Sequence, residues 1–198
     1  MIKIGILDLQ GAVSEHYDIM QIAIENMGID GEVTKVRYSD EVAKCDGLII
    51  SGGESTVIGK LIKERGIDKV IYNNQIPVFG TCAGMVLLSK EVNHDQDLLG
   101  LMDIKVKRNA FGSQRESFEK EIDILGDKFP GVFIRAPSIV EILNNSKENS
   151  DNIEILAKLD SDIIAIKQAK NIAVSFHPEL TNNTRLHEYF LNELLNNK

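Results

Sequence analysis

A cysteine in a glycine-rich turn is the first residue whose surroundings indicate chemistry. Cys82 occupies the centre of the motif Gly80-Thr81-Cys82-Ala83-Gly84, which lies between a short apolar segment and a helical run. This is a G-x-C-x-G pattern in a predicted strand–turn–helix, the thiol counterpart of the G-x-S-x-G nucleophile elbow. Glycine on each side relieves crowding in so tight a turn, and the N-terminus of the following helix favours a negatively charged sulfur. The N–H of Ala83 can then help to stabilise an oxyanion. The alternative interpretation is a buried structural cysteine.

His177 and Glu179 form the second half of a predicted triad. His177 ends an apolar run over residues 172–176, and Glu179 follows after a single proline. In an extended segment residues i and i+2 project to the same side, and Pro178 favours an extended conformation at the histidine. The carboxylate can therefore hold one ring nitrogen while the other faces the thiol. The alternative is a loop histidine beside an incidental acid. The remaining histidines lie in helical or polar segments: His16, His94 and His187.

A pair of adjacent glycines follows another predicted strand, at residues 47–50. Such a pair lets the backbone approach a ligand and point N–H groups at it. Because the G-x-x-x-x-G-K-[ST] pattern is absent, an oxyanion loop at Gly52-Gly53 is a better interpretation than a phosphate loop. The alternative is a turn that Ser55 or Thr56 caps.

Three charged residues are candidates for binding a substrate that carries both a carboxylate and an ammonium group. Arg108 or Arg135 could clamp the carboxylate through two parallel hydrogen bonds, and Glu54 could hold the ammonium. Each of them could equally be a solvated surface residue.

Short apolar segments alternate with helical ones in the first half of the chain. Strands are predicted at 2–9, 31–36, 47–50 and 77–80, and helices at 15–27, at 56–64 and after Cys82 through Leu88. In the helix at 15–27 the buried face is predicted to contain Ile19, Ile22, Ala23 and Met27. This alternation predicts a parallel sheet that helices cover on both faces.

The second half is richer in strands. They are predicted at 104–106, 117–122, 132–134, 139–142, 153–159, 163–166 and 172–175, with a polar surface loop at 144–152 and a closing helix at 183–196. The middle of the chain is therefore expected to form either a β-rich insertion or an antiparallel extension of the sheet.

Composition limits the class of protein. A length of 198 residues with 43% hydrophobic and 26% charged residues fits one globular domain over residues 1–198. The net charge of −8 argues against a nucleic-acid partner. The two cysteines, Cys45 and Cys82, fit a reducing compartment, and Cys45 is predicted to be a packing residue because it has no glycine elbow. No segment reads as a signal peptide or membrane span, so we expect a cytoplasmic protein that does not contact a membrane.

Taken together, these segments resemble class I (triad-type) glutamine amidotransferases, and more narrowly the family of glutaminase subunits of pyridoxal 5′-phosphate synthase. The resemblance spans nearly the whole chain and rests on six stretches: 9–13 (LQGAV), 52–56 (GGEST), 79–84 (FGTCAG), 108–114 (RNAFGSQ), 133–137 (FIRAP) and 175–181 (SFHPELT). One departure is that Ser51 stands where the family usually has proline, which removes a fixed φ angle before the glycine loop.

The resemblance implies a fold and a role for each matching residue. The fold would be a flavodoxin-like three-layer sandwich with a mostly parallel central sheet and a β-rich middle section. Cys82 would be the nucleophile, His177 the base and Glu179 its orienter. Oxyanion N–H groups would come from Gly53 and Ala83. The glutamine site would be lined by Gly53, Glu54, Ser55, Arg108, Ile134 and Arg135.

The resemblance also implies the purpose of the reaction. The chain would hydrolyse L-glutamine and deliver ammonia to a barrel-shaped synthase subunit in a hetero-oligomer, with little activity until docked. No cofactor or metal would be needed. Three alternatives stay open: a glutaminase subunit for histidine, tryptophan or purine synthesis, a cysteine peptidase or DJ-1-like protein, and a non-catalytic binding module with the same fold.

Overall fold

The chain alternates between strands and helices before it becomes strand-rich. The computed structural model describes residues 1–111, 117–143 and 153–196. Its strands are β1 (Ile2–Leu7), β2 (Gly31–Val36), β3 (Gly47–Ile50), β4 (Val78–Thr81), β5 (Ser89–Val92), β6 (Met102–Lys107), β7 (Ser117–Ile124), β8 (Asp127–Ile134), β9 (Ser138–Ile142), β10 (Ile153–Leu159), β11 (Asp162–Gln168) and β12 (Asn171–Val174). Its helices are α1 (Val13–Met27), α2 (Ser39–Val42), α3 (Ser55–Glu64), α4 (Ile67–Asn74), α5 (Ala83–Leu88) and α6 (Arg185–Leu195), and a 3₁₀ helix spans Pro178–Leu180. None of the described helices is both long and apolar enough to cross a membrane.

One half of the main sheet is parallel and positions the candidate active site. Its strand order is β2-β1-β3-β4-β12, and every neighbouring pair in this half is parallel. Val174 at the end of β12 pairs with Thr81 at the end of β4. Because parallel strands end at the same edge of a sheet, the segments that follow β3, β4 and β12 converge there.

The other half of the sheet confirms the predicted antiparallel extension. Beyond β12 the order continues β11-β9-β6-β5, with β10 paired to β11, and the pairs between β12 and β6 are antiparallel. Strands β7 and β8 form a separate two-stranded hairpin, so the predicted β-rich insertion is present as well. The hairpin is anchored by aromatic packing, since the ring centroids of Phe133 and Phe176 lie 5.6 Å apart.

Apolar cores lie on both faces of the sheet and make three layers. On one face the sheet packs against α1, α6 and the hairpin, and on the other it packs against α3, α4 and α5. The predicted α/β class with a mostly parallel central sheet is therefore confirmed.

The structure corrects the predicted face of α1. Ile22 is 49% exposed, whereas His16 is fully buried together with Ile19, Met20 and Ala23. These four positions have the i, i+3, i+4, i+7 spacing of a buried helical face. The predicted end of the helix is confirmed, because Gly28 adopts the left-handed conformation and its N–H reaches the carbonyls of Ile24 and Glu25.

Other differences from the predicted elements are local. Helices α2 and α4 and strand β5 were not predicted. Strand β8 begins at Asp127, five residues before the predicted start, and runs through Pro130. Proline is tolerated there because β8 is an edge strand of a two-stranded hairpin. The polar loop predicted at 144–152 lies outside the described residues.

Candidate active site

Cys82 stands at a sharp turn between a strand and a helix, which confirms the predicted context. Strand β4 ends at Thr81, helix α5 begins at Ala83, and Cys82 between them has φ 50° and ψ −102°. A positive φ is costly for a side chain with a Cβ, and such strain is typical of functional positions. The Cys82 N–H donates to the carbonyl of Val174, which ties the turn to β12 at 2.9 Å.

The glycines of the elbow are required by close packing. A Cβ on Gly80 would lie 2.6 Å from the carbonyl carbon of Gly84. A Cβ on Gly84 would lie 2.2 Å from the carbonyl oxygen of Ile50, at the end of β3. Both contacts are with backbone atoms, so neither can be relieved by a side-chain rotation. The G-x-C-x-G spacing therefore lets helix α5 start directly against β3 and β4.

His177 and Glu179 form a tight buried pair behind Cys82. His177 Nδ1 lies 2.7 Å from Glu179 Oε1, and the Glu179 side chain is fully buried. The expected extended geometry is wrong, because Glu179 lies inside the 3₁₀ helix Pro178–Leu180. Proline at the first position of that helix suits its φ angle, and the tight turn still brings the carboxylate back to the ring.

The surroundings of His177 and Glu179 shift the pKa values of both side chains toward their charged forms. Burial disfavours the imidazolium, but hydrogen bonding and charge attraction from Cys82 and Glu179 outweigh it and raise the pKa of His177 to about 10. Burial would also raise the pKa of Glu179, yet the close polar contact with His16 and the hydrogen bond and charge of His177 hold that pKa well below its usual range. Both shifts favour a protonated histidine beside an ionised glutamate.

The glycine loop lies against both chemical groups. A Cβ on Gly52 would lie 2.4 Å from His177 Cε1 and 3.4 Å from the Cβ of Cys82. Gly53 has φ 151°, which favours glycine. Glu54 caps helix α3, since its carboxylate accepts from the Thr56 N–H at 3.3 Å, so the alternative of a turn capped by Ser55 or Thr56 is wrong.

The N-terminal turn, which follows β1 and contains Gln10 and Gly11, holds the glycine loop at Gly52-Gly53 in place. The Gln10 side-chain oxygen accepts from the Glu54 N–H at 2.8 Å, and the Ser51 hydroxyl donates to the Gln10 carbonyl at 3.2 Å. The serine thus restores, through a hydrogen bond, part of the restraint that proline would provide. Gly11 permits the approach, because a Cβ there would collide with the Gly52 carbonyl.

Arg108 and Glu54 contact each other instead of standing apart as independent binding groups. The Arg108 guanidinium donates to Glu54 Oε1 at 2.9 Å, Gln96 Oε1 at 3.1 Å and Thr56 Oγ1 at 3.3 Å. Burial of Glu54 opposes ionisation, but bonds from Thr56 and Arg108 lower its pKa. Arg135 lies across the cleft on the exposed turn after β8, with a positive φ of 43°.

A single cleft gathers nearly all the predicted site residues. Its lining comprises Gly53, Glu54, Ser55, Cys82, Ala83, Val86, Arg108, Asn109, Ile134, Arg135, Pro137 and His177. Of the predicted residues only Glu179 is missing from the lining, because it lies behind His177. The Cys82 thiol also points toward the backbone oxygen of Ile134, at 3.8 Å. The sequence did not predict Asn109 or the buried His16; the helical spacing of α1 was the available signal for the latter.

These elements match a recognised class of enzyme. A cysteine at a strand–helix elbow, beside a paired histidine and carboxylate at the carboxyl edge of a parallel sheet, is typical of α/β hydrolases that act through a thiol. Comparison with known proteins identifies the family within this class. The chain belongs to the SNO glutamine amidotransferase family, whose model matches residues 6–196.

Individual relatives agree with this family. The pyridoxal 5′-phosphate synthase subunit PdxT of Methanobrevibacter smithii is 67% identical over 196 residues, covering 99% of this chain and 98% of the relative. The corresponding PdxT subunit of Methanothermobacter thermautotrophicus is 57% identical over 196 residues, with the same coverage. A solved structure described as a glutamine amidotransferase superimposes with a TM-score of 0.83 at 40% identity, covering 96% of this chain and 98% of that one.

Proposed function

We propose that this chain, as one domain over residues 1–198, is the glutaminase subunit of a pyridoxal 5′-phosphate synthase. The observation that carries the proposal is that Cys82 and His177 line one cleft, with Glu179 behind His177 and its Oε1 2.7 Å from His177 Nδ1. Family membership and the names of the relatives supply the substrate and the pathway.

The proposed reaction has two halves. The Cys82 thiolate attacks the side-chain amide carbon of glutamine, and the protonated His177 gives its proton to the amide nitrogen as the carbon–nitrogen bond breaks. Ammonia leaves and a thioester remains. Water then attacks the thioester while His177 accepts a proton, which releases glutamate and the thiolate. A His177 pKa near 10 means that the required proton is present on the ring from the start.

Transition-state stabilisation is assigned to two backbone N–H groups. Ala83 begins helix α5 directly after the nucleophile, and Gly53 belongs to the loop that packs on Cys82 and His177. N–H groups aimed at the developing oxyanion act strongly in a site that excludes water, because the charge is not screened there.

Recognition of free glutamine is assigned to the charged mouth of the cleft. Arg108 or Arg135 would take the α-carboxylate, and Glu54 the α-ammonium. Ser55 and the backbone of Ile134 complete the lining. Since Arg108 and Glu54 bond to each other at 2.9 Å, a zwitterionic ligand would insert between them and exchange that ion pair for two of its own.

We further propose that the ammonia is passed to a barrel-shaped synthase subunit in the cytoplasm, and that docking gates the glutaminase. The Gln10 contacts couple the exposed N-terminal turn to the glycine loop. Displacement of that turn by a partner would therefore move the backbone of Gly53, where glycine makes a peptide rotation sterically inexpensive.

Reconstitution with the synthase subunit tests the proposal. With Cys82→Ala, cofactor synthesis from glutamine should stop, whereas synthesis from added ammonium salt should continue at the wild-type rate. Cys45→Ala is the matched control and should leave both routes intact. If ammonium fails to rescue Cys82→Ala, or if the isolated chain already equals the complex in glutaminase rate, the gated ammonia-donor model is rejected.

Covalent labelling provides a direct check on the nucleophile. An electrophilic glutamine analogue should modify Cys82 and spare Cys45, because burial raises the pKa of the Cys45 thiol to about 11 and leaves little thiolate. Mass spectrometry of the labelled peptides separates the two. Modification of Cys45 alone would remove Cys82 from its assigned role.

A further inference from the structure

Behind the candidate triad lies a second polar cluster that the proposed reaction does not use. His16 from α1 and His187 from α6 are both fully buried. His16 Nε2 lies 3.2 Å from Glu179 Oε2 and 3.1 Å from the hydroxyl of Thr81, the residue directly before Cys82. His16 Nδ1 lies 3.1 Å from His187 Nε2. One imidazole therefore touches the triad carboxylate, the elbow and a second buried histidine.

The partners of each nitrogen determine where the protons are. His16 Nε2 lies 3.2 Å from an ionised carboxylate, which would repel a bare nitrogen lone pair, so the ring proton lies on Nε2, where it donates to the Thr81 hydroxyl oxygen and faces Glu179. The other His16 nitrogen then accepts from His187 Nε2. This leaves His187 Nδ1 bare, which agrees with its having no hydrogen-bond partner among the described residues. With the reverse direction, His187 would bury an unpaired N–H, which is costly.

The electrostatic surroundings fit this direction. Burial lowers the pKa of His187 well below its usual value, so His187 is neutral. The titratable groups that the described residues bring against His16 are Glu179 and His187. No group of three or more histidine, cysteine or acidic side chains in the described part of the chain is arranged to hold a metal ion. The cluster is therefore a hydrogen-bond chain.

We propose that His16 is a positioning residue of the triad, which holds the second oxygen of Glu179 and the Thr81 hydroxyl while His187 fixes its tautomer. The inference rests on the proposed glutaminase function. Glu179 Oε1 is taken by His177, whereas Oε2 accepts no hydrogen bond among the described residues and meets His16 Nε2 at 3.2 Å, so His16 is the polar group that limits rotation of the carboxylate. Without it the carboxylate can rotate away from the His177 ring.

Substitution of His16 separates positioning from packing. His16→Leu removes the donor, whereas His16→Gln keeps one, because its amide N–H can reach Glu179 while its amide oxygen accepts from His187. Met20→Ala is the matched control, since Met20 is buried on the same helix face. A hydrogen bond to a buried charge corresponds to roughly a tenfold to hundredfold change in rate.

Two readouts are needed. The first is the kcat and KM of glutamine hydrolysis in the complex with the synthase subunit. The second is the pH profile of Cys82 alkylation by iodoacetamide on the isolated chain, with circular dichroism as a check of folding. In His16→Leu we expect kcat to fall about tenfold to hundredfold with KM within about twofold, and the alkylation midpoint to move to higher pH. His16→Gln should recover most of both, and Met20→Ala should shift neither.

The inference is overturned if folded His16→Leu keeps the wild-type alkylation profile and kcat, or if His16→Gln is no better than His16→Leu. If His16→Leu does not fold, His187→Phe replaces it, because it keeps an aromatic ring beside Phe79 while removing the donor to His16. An unchanged alkylation profile in His187→Phe then overturns the inference. Absence of glutaminase activity in the wild-type complex would instead reject the proposed function, and the alkylation profile would still report on the cluster.

Discussion

Replacing Gly52 with alanine should disable the site by a defined steric displacement. The added Cβ would lie 2.4 Å from His177 Cε1 and 3.2 Å from its Nδ1. Gly52 has no positive φ, so the substitution introduces no backbone strain of its own. Its whole effect should therefore come from pushing the imidazole away from its partners.

The expected loss of kcat in Gly52→Ala can be estimated from the distances. Ordinary carbon–carbon contact begins at 3.4 Å, so the ring must move by about 1 Å from its 2.4 Å position. That is enough to break the alignment of a 2.7 Å bond between His177 and Glu179. A misplacement of about 1 Å in a reacting group costs roughly 10²-fold in rate. We therefore expect kcat to fall about a hundredfold, with KM changed much less.

The assay is steady-state glutamine hydrolysis in the reconstituted complex, combined with chemical denaturation. Gly31→Ala is the matched control, because the atoms nearest to a Cβ there belong to the side chains of Ile2 and Ile24, at 3.0 Å, and neither residue lines the cleft. It should cost some stability and leave turnover intact. A folded Gly52→Ala protein with turnover within about twofold of wild type would refute the claim that the glycine loop must touch His177.

Three further perturbations test the triad and the mouth of the cleft. His177→Asn should lower turnover more than Glu179→Gln, because the histidine moves protons whereas the glutamate orients it; equal losses in kcat would contradict the orienting role. Arg108→Ala should mainly raise KM for glutamine, and an unchanged KM would transfer the carboxylate to Arg135 or to neither. Since the folded-state pKa of His177 is raised to about 10 from 6.5, its stabilising contribution is complete below pH 6.5 and is lost as pH rises toward 10. Denaturation of wild type from pH 6.5 to 10 should show this loss, and His177→Asn should lack it.

Much of the fold was predictable because local patterns agree with it. Strands β2, β3 and β10 have the predicted bounds, and α1 ends at the predicted glycine. The failures have local causes. Strand β8 continues through Pro130, a residue that normally argues against a strand, because the hairpin gives it an edge. The helical spacing of the apolar residues predicts Ile22 on the buried face of α1, but that face runs through His16 and Met20 instead and leaves Ile22 exposed.

The candidate catalytic residues could likewise be predicted from the sequence alone. The glycine spacing around Cys82 and the nearness of His177 to Glu179 follow from short motifs whose geometry is set by neighbouring residues. For the same reason the sequence predicts the contact between His177 and Glu179 but assigns the wrong conformation to it, since an extended segment and a 3₁₀ turn both bring a carboxylate back to a ring two residues away.

What the sequence alone determined is therefore most of the helices and strands and the motifs at their ends. The tertiary structure decided which ends meet and what lies behind them. His16, Thr81 and Glu179 are separated by up to 163 residues along the chain, yet they come together because β4 and β12 are neighbours and α1 packs against the 3₁₀ helix that carries Glu179. No local pattern encodes such a contact. It follows from the burial of one helix face against a sheet, where a polar side chain must find its partner among residues that are distant in sequence.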